Sequence, residues 1–145
     1  LHDTGKYPNY SIPNVDHALR SKGIAANLLK KYHLEQEKVI KILEAIELHM
    51  YYSEPGSSDE AIYIRDANIL DNLGNIGIMK IFSLVGQDEL ITSPEEALLR
   101  IQTFAEALPK KVCSKTGRRI AVKRREEIMR FLSGIKRQTA EYAWI

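Results

Sequence analysis

The helical spacing of apolar residues is the feature that most limits which folds are open to this chain. Between residues 39 and 50 the apolar side chains recur three or four positions apart, which places them on one face of a helix. No stretch alternates apolar and polar residues over a strand length, and no Asn-Gly or Asp-Gly pair signals a hairpin. The sequence therefore predicts an all-α fold, a single-domain helical bundle with short connecting loops.

Start signals and helix breakers give approximate bounds for six helices. Asp16 is a capping residue ahead of the first helix, and Ser93-Pro94-Glu95-Glu96 combines a cap serine, a first-position proline and a capping-box glutamate. Ser57 and Glu60 form a similar capping pattern ahead of the third helix. Residues 6–15, rich in proline and asparagine, predict a loop. The predicted helices span residues 17–32, 35–50, 59–72, 75–85, 93–107 and 117–140.

Composition indicates the class of protein that these helices build. The chain has 145 residues, of which 44% are hydrophobic and 28% are charged, the balance of a globular domain with a core. No apolar run approaches the roughly 20 residues that a membrane span needs. The single cysteine, Cys113, excludes an internal disulfide and a multi-cysteine zinc site, and it favours an intracellular, cytoplasmic location.

Basic side chains are concentrated in one segment, although the formal net charge is only +2. Residues 110–125 contain eight Lys or Arg residues and no acidic residue. The simplest interpretation is a solvated loop and helix face, and a phosphate-facing patch is the second. Nucleic-acid binding is a third interpretation. It is not expected, because the segment has no interleaved aromatic residues and no known binding motif.

Residues that can bind a metal fall on the predicted inward faces. His2 and Asp3 are adjacent, and imidazole and carboxylate groups together bind divalent metals. Asp66 lies within an apolar stripe, where an unpaired carboxylate is costly, so we expect it to be ion-paired, protonated or metal-bound. His17 and His49 also lie on core-facing sides of their helices. Either histidine alone is typical of a hydrogen-bonded core residue, but together these side chains can form one polar pocket in the bundle.

These ligand types indicate metal-assisted hydrolysis of a phosphate. A divalent ion polarises a phosphoryl oxygen and lowers the pKa of bound water, and Lys6, three residues after Asp3, can neutralise a phosphate. Gly5, between them, permits a turn. Zinc, manganese, iron, nickel and magnesium all suit such ligands. The chain has no Gly-rich phosphate loop, no Gly-x-Ser-x-Gly motif and no histidine near Cys113, so P-loop ATPases and serine or cysteine nucleophiles are not supported.

The run Leu1-His2-Asp3-Thr4-Gly5-Lys6 and the stretch around Asp66 resemble the HD-domain superfamily of metal-dependent phosphohydrolases. The pattern of that superfamily is a histidine, then a His-Asp pair often written His-Asp-x-Gly-Lys, then a distant aspartate, on a helical bundle. Residues 64–74, Gly77-Ile78 and residues 116–118 resemble a bacterial subgroup whose members are thought to hydrolyse nucleotides. The likeness covers nearly the whole chain.

The resemblance implies a role for each candidate site residue. The metal ligands are His2, Asp3 and Asp66. Lys6 and Arg118 offset the charge of the substrate phosphate. The catalytic residues are Asp3, Lys6, His17 and His49, with the two histidines orienting the substrate, assisting proton transfer or, by a looser analogy, binding a second metal. The implied substrate is a phosphorylated small molecule of the nucleotide type, with no membrane partner.

The first histidine of the family pattern precedes the His-Asp pair, on an earlier helix. Because no residue stands ahead of Leu1 here, we expect that first helix to be missing from this chain. An alternative function follows from the missing ligand. In that alternative the chain is a catalytically degenerate HD domain, which binds a nucleotide as a sensor or a partner module.

Overall fold

The structure, a computed structural model, describes residues 1–140, and its regular elements are helices. The described residues form six α-helices and no β-strand, which confirms the all-α prediction. Two short 3-10 turns, Thr4–Lys6 and Pro8–Tyr10, lie in the first part of the chain, and a third, Leu108–Lys111, precedes the last helix. The helices are α1 His17–Leu29, α2 Gln36–Glu47, α3 Asp59–Asp71, α4 Gly74–Ser83, α5 Pro94–Ala107 and α6 Lys115–Gln138.

The chain folds as two compact units. The first is Leu1–Asn68 and the second begins at Ile69, so the division falls within α3. In the first unit, α1 packs against α2 and against the 3-10 turn Thr4–Lys6. In the second unit, α4, α5 and α6 pack against one another. None of the helices in residues 1–140 is both long enough and apolar enough to cross a membrane.

Side-chain caps fix the start of two helices in the first unit. The carboxylate of Asp16 accepts a hydrogen bond from the backbone N–H of Ala18 at 2.7 Å, which confirms the predicted cap of α1. The cap of α3 was predicted one residue too early. Ser58, and not Ser57, accepts from the backbone N–H of Ala61, at 3.3 Å. Ser57 lies one residue ahead of this cap, and its N–H and its hydroxyl both donate to a glutamate of α2.

That glutamate, Glu44, holds the two serines ahead of α3. Its Oε1 accepts from the hydroxyl and the N–H of Ser57 at 2.8 and 2.7 Å, and its Oε2 accepts from the hydroxyl of Ser58 and, at 3.1 Å, from the N–H of Ser58. The hydrogen bonds from Ser58 and then Ser57 lower the pKa of Glu44 from 4.5 to about 2. The ionised carboxylate therefore ties the end of the loop to α2 at neutral pH.

We expect Glu44→Gln to lower the free energy of unfolding at pH 7 by about 1 kcal/mol, because an amide has one acceptor oxygen where the carboxylate has two. The folded-state pKa of Glu44 is depressed, so its contribution is present above pH 4.5 and is lost as the pH falls towards 2. Urea unfolding of the native chain and the variant, from pH 7 down to pH 2.5, measures the difference between them. That difference should shrink on acidification.

A matched control for Glu44 is Glu37→Gln, which changes an exposed glutamate of the same helix that pairs with Lys41. This surface change should leave the free energy of unfolding nearly unaltered at neutral pH. If the Glu44→Gln difference were the same at pH 7 and pH 2.5, the role assigned to the carboxylate would be wrong.

The second unit has its own helix caps. The hydroxyl of Ser93 accepts from the N–H of Glu96 at 3.4 Å, and the Glu96 carboxylate accepts from the N–H of Ser93 at 3.3 Å, which confirms the predicted capping box of α5. Ser114 caps α6 by accepting from the N–H of Gly117 at 3.0 Å. Gly74, where α3 gives way to α4, has a φ of +71°, a left-handed conformation that favours glycine.

Candidate metal centre

The 3-10 turn Thr4–Lys6 lies directly against α1, and this contact fixes the position of Asp3. The N–H of Gly5 donates to the hydroxyl of the fully buried Ser21 at 2.8 Å, and the guanidinium of Arg20 donates to the carbonyl of Gly5 at 3.0 Å. A β-carbon on Gly5 would lie 2.3 Å from the carbonyl oxygen of His17. The backbone of the turn can therefore approach α1 this closely only because residue 5 is glycine.

Two histidines of the first unit, His17 partly buried and His49 fully buried, face this turn. His17 is the first residue of α1, with 14% of its side chain exposed. His49 is fully buried and follows Leu48, the C-cap of α2, so it lies beyond the helix that was predicted to run to residue 50. The prediction that both side chains face inward is confirmed. Asp66 on α3, also predicted to face inward, is 3% exposed.

Asp3, His17 and His49 bring three potential ligand atoms together. Oδ1 of Asp3 lies 3.2 Å from Nε2 of His49 and 3.6 Å from Nε2 of His17, and each of the three residues offers a ligand atom within 4.8 Å of the other two. Ligand atoms about 2.0–2.2 Å from an ion and separated by 90–120° are about 2.9–3.7 Å apart. The two measured separations from Asp3 match the spacing that a divalent ion requires.

The hydrogen bonding of His49 leaves its second nitrogen free to coordinate. Nδ1 of His49 lies 2.7 Å from the carbonyl oxygen of Ile46, and because a carbonyl only accepts, Nδ1 is the nitrogen that carries the proton. In the neutral ring, Nε2 then directs a lone pair at Oδ1 of Asp3. Two hydrogen-bond acceptors that face each other in this way repel. A metal ion between them, or a proton on Nε2 that is donated to Oδ1, relieves this conflict. A backbone carbonyl on the other ring nitrogen is the partner that metal-binding histidines usually have.

His17 shows the same need for a cation. Its Nε2 is buried and makes no hydrogen bond to any residue in the part of the chain that the structure describes. Such a buried polar atom costs about 1–3 kcal/mol unless it is satisfied. Burial lowers the pKa of His17 and outweighs the opposing charge of Asp16, so the ring is neutral at neutral pH and can bind a metal. Two imidazoles and one carboxylate suit zinc, iron and nickel better than magnesium.

The other carboxylate oxygen of Asp3 faces two exposed neighbours. Nζ of Lys6 donates to Oδ2 at 3.0 Å, and Nε2 of His2 lies 3.7 Å from the same oxygen. Partial burial raises the pKa of Asp3, but the hydrogen bond and charge of Lys6, together with the charges of His2 and His49, lower it more, so the net shift is downward from 3.8. Burial lowers the pKa of His2. At neutral pH the ionised carboxylate of Asp3 is thus accompanied by the neutral rings of His2 and His17.

A pocket of about 480 Å³ opens beside this carboxylate. Polar side chains that can meet an anion or a metal line one part of it, and apolar groups complete it. The lining residues that bear on chemistry are His2, Asp3, Lys6 and Tyr7. The pocket is large enough to hold a phosphate together with part of the group that carries it.

Comparison with protein-family models, with curated proteins and with solved structures found no match. The likeness to the HD-domain superfamily therefore remains a resemblance of motifs.

The structure brings some of the predicted site residues together in the first unit, namely Asp3, His17 and His49, with His2 and Lys6 beside Asp3. The group of three ligand atoms does not include His2 or the buried Asp66, and metal binding by these two residues stays a prediction. Arg118 lies on α6 of the second unit with an exposed side chain, and its contact with a phosphate also stays a prediction.

Sequence analysis missed the residues that hold the turn in place. In addition to its hydrogen bond to the carbonyl of Gly5, the guanidinium of Arg20 donates to the carbonyls of Ile12, at 3.0 Å, and Val15. These hydrogen bonds close the loop between the turn and α1. The one signal for this cluster is Ser21, a small polar residue one helical turn after His17 on the same inward face.

Proposed function

We propose that this chain is a divalent-metal-dependent phosphohydrolase that acts on a phosphate ester or anhydride, with a nucleotide-like small molecule as the substrate. The observation that carries the proposal is the convergence of Oδ1 of Asp3 with Nε2 of His17 and Nε2 of His49, which lie 3.6 and 3.2 Å from it, respectively. Three protein ligands leave coordination positions open, as catalytic metal sites do. The His-Asp-x-Gly-Lys motif that contains Asp3 supports the same chemistry.

Some residues of the first unit would bind the ion, and others would contact the substrate. When bound, the ion polarises a phosphoryl oxygen and makes water a better nucleophile at neutral pH. Asp3, His17 and His49 supply its ligands, and His2 and Asp66 are candidates for further ones. Lys6 is half-exposed at the other oxygen of Asp3, where its ammonium can turn from the carboxylate to a substrate phosphate.

The test of this function is release of phosphate or pyrophosphate from a panel of nucleotides in the presence of Mn²⁺. Turnover should require the metal and should disappear when EDTA removes it. An Asp66→Ala variant with undiminished activity would overturn the assignment of Asp66 as a ligand. Nucleotide binding with no turnover at any metal concentration would contradict the hydrolase function and would favour the degenerate, nucleotide-sensing alternative.

We expect Lys6→Met to reduce kcat/KM about 10- to 100-fold, because the substrate phosphate loses the cation that neutralises it. Affinity for Mn²⁺ should stay the same or rise slightly, because Lys6 no longer competes for Asp3. Lys38→Met, at an exposed lysine of α2, is the control and should keep the native kcat/KM. Steady-state kinetics and a Mn²⁺ titration of both variants separate these effects. An unchanged kcat/KM for Lys6→Met would remove Lys6 from the site.

A further inference from the structure

The first three turns of α6 carry five exposed cations, and we call this surface the basic face: Lys115, Arg118, Arg119, Lys123 and Arg125. None of them forms an ion pair with a carboxylate among residues 1–140. Elsewhere in the described residues, Lys22, Lys41 and Lys80 each lie within 2.6 Å of a carboxylate oxygen, whereas Lys30, Lys31 and Lys38 form no ion pair. The charges of the basic face are therefore not balanced by acidic side chains of the described residues.

The location of the basic face is unfavourable for the isolated helix. The N-terminal end of a helix carries partial positive charge and is stabilised by acidic residues. α5 follows this rule with Glu95 and Glu96 in its first turn, whereas the first turn of α6 has no acidic residue. Positive side chains gathered at this end cost stability that an anionic partner would restore. Such a departure from local preference is typical of a binding surface.

The shape of the basic face suits a long, regular polyanion. At 100° per residue its five side chains spread over about 160° of the helix circumference, and at 1.5 Å per residue they extend about 15 Å along the axis. This length matches the axial rise of about four phosphates of one strand of a duplex, at about 3.4 Å of duplex axis per phosphate. The opposite side of α6 is buried within the second unit through Gly117, Ala121, Ile128 and Leu132.

We propose that the basic face binds the phosphate backbone of double-stranded nucleic acid without sequence preference. Residues 110–125 contain no aromatic side chain, so the stacking platform that single-strand binding uses is absent from this segment. Of the large apolar side chains of α6, only Val122 and Met129 are exposed, which is too small an apolar surface to insert the helix into a membrane. The cations of the basic face are exposed and have no acidic partners among the described residues. These two observations favour nucleic-acid binding, which composition alone did not favour.

This proposal does not depend on the metal centre, and its test is done in EDTA with the 145-residue chain. Fluorescence anisotropy of a labelled 24-base-pair duplex, titrated between 50 and 200 mM KCl, measures the binding constant. Four or five phosphate contacts predict that log K falls against log[KCl] with a slope of about −3.6 to −4.5. The double variant Arg119→Glu with Lys123→Glu should bind at least 10-fold more weakly at 50 mM KCl and lower the slope by about 2.

The control variant is Lys31→Glu with Lys38→Glu, which makes the same change in net charge at exposed lysines of the first unit. It should lose less than about 3-fold in affinity. Equal losses in the two double variants would overturn the proposal, because binding would then follow net charge and not the basic face. Binding with no salt dependence, or tighter binding to single-stranded DNA, phosphatidylserine vesicles or polyglutamate than to the duplex, would also overturn it.

Folding of the charge-reversed chain is checked by circular dichroism. Glutamate has a high helix propensity, so the helical signal should be retained. A second variant, Arg119→Gln with Lys123→Gln, removes the two charges without adding new ones. Its affinity for the duplex should lie between that of the native chain and that of the Glu variant. Native affinity in this second variant would contradict the proposal.

Discussion

Replacing Asp3 by alanine is expected to weaken Zn²⁺ binding by at least about 100-fold. Oδ1 of Asp3 lies 3.6 Å from Nε2 of His17 and 3.2 Å from Nε2 of His49, so the substitution leaves two imidazoles without the anionic ligand between them. Losing even a group that only orients a ligand costs about 10- to 100-fold in metal affinity, and losing a ligand costs more. Isothermal titration calorimetry with Zn²⁺ measures the change.

The control for this substitution is Asp71→Ala, which removes an exposed carboxylate that pairs with Lys80 in the second unit. Its affinity for Zn²⁺ should stay within about 2-fold of the native chain. Native affinity in Asp3→Ala, with an unchanged circular dichroism spectrum, would show that Zn²⁺ binds elsewhere and that these three residues are not the metal centre. Equal losses in both variants would mean that Zn²⁺ responds only to the negative charge of the chain.

The helices could be predicted closely because their signals are local. The capping box joins Ser93 and Glu96, so all of its hydrogen bonds form within four consecutive residues. α5 accordingly begins where the sequence predicts. Ends set by packing were less accurate. The predicted second helix runs to residue 50, but α2 ends at Glu47, and His49 beyond it binds the carbonyl of Ile46 and faces Asp3. That contact joins residues 46 positions apart, which no local pattern specifies.

The candidate site was predictable in part for the same reason. Periodicity places His17 and His49 on inward faces, since the face of a residue depends only on its position along a helix. Periodicity does not give the distance between two faces. The meeting of His17 and His49 with Asp3 depends on how the first turn packs against α1, through contacts of Gly5 with Ser21 and Arg20. The family resemblance therefore implied a looser role for these histidines than the one their geometry supports.

Gly5→Ala is expected to destabilise the chain by about 1–3 kcal/mol and to weaken Zn²⁺ binding about 10-fold. The added methyl group would lie 2.3 Å from the carbonyl oxygen of His17 and 2.9 Å from the β-carbon of Arg20 and the backbone nitrogen of Ser21. Two of these three atoms are backbone atoms of α1, so the turn must move away from the helix. Asp3 moves with the turn, and its distance to His17 and His49 increases. Urea unfolding and Zn²⁺ calorimetry measure the two effects.

The control is Gly23→Ala in the same unit, because a β-carbon on Gly23 in α1 meets no atom within 4 Å. There alanine should raise the free energy of unfolding by about 0.5–1 kcal/mol through its better helix propensity, and it should leave Zn²⁺ affinity unchanged. A Gly5→Ala chain with native stability and native Zn²⁺ affinity would show that packing of the turn does not position Asp3.

The pair of variants also distinguishes two reasons for a glycine at position 5. The sequence suggests that Gly5 permits a turn, but Gly5 is not among the residues with positive φ, so alanine could adopt its backbone conformation. The obstacle to alanine is space against α1. Because the same lack of a side chain lets the Gly5 N–H reach the hydroxyl of Ser21, glycine acts here by bringing the carboxylate of Asp3 to the two histidines. If Gly5→Ala loses stability but keeps its Zn²⁺ affinity, Gly5 serves only the packing of the turn and does not position Asp3.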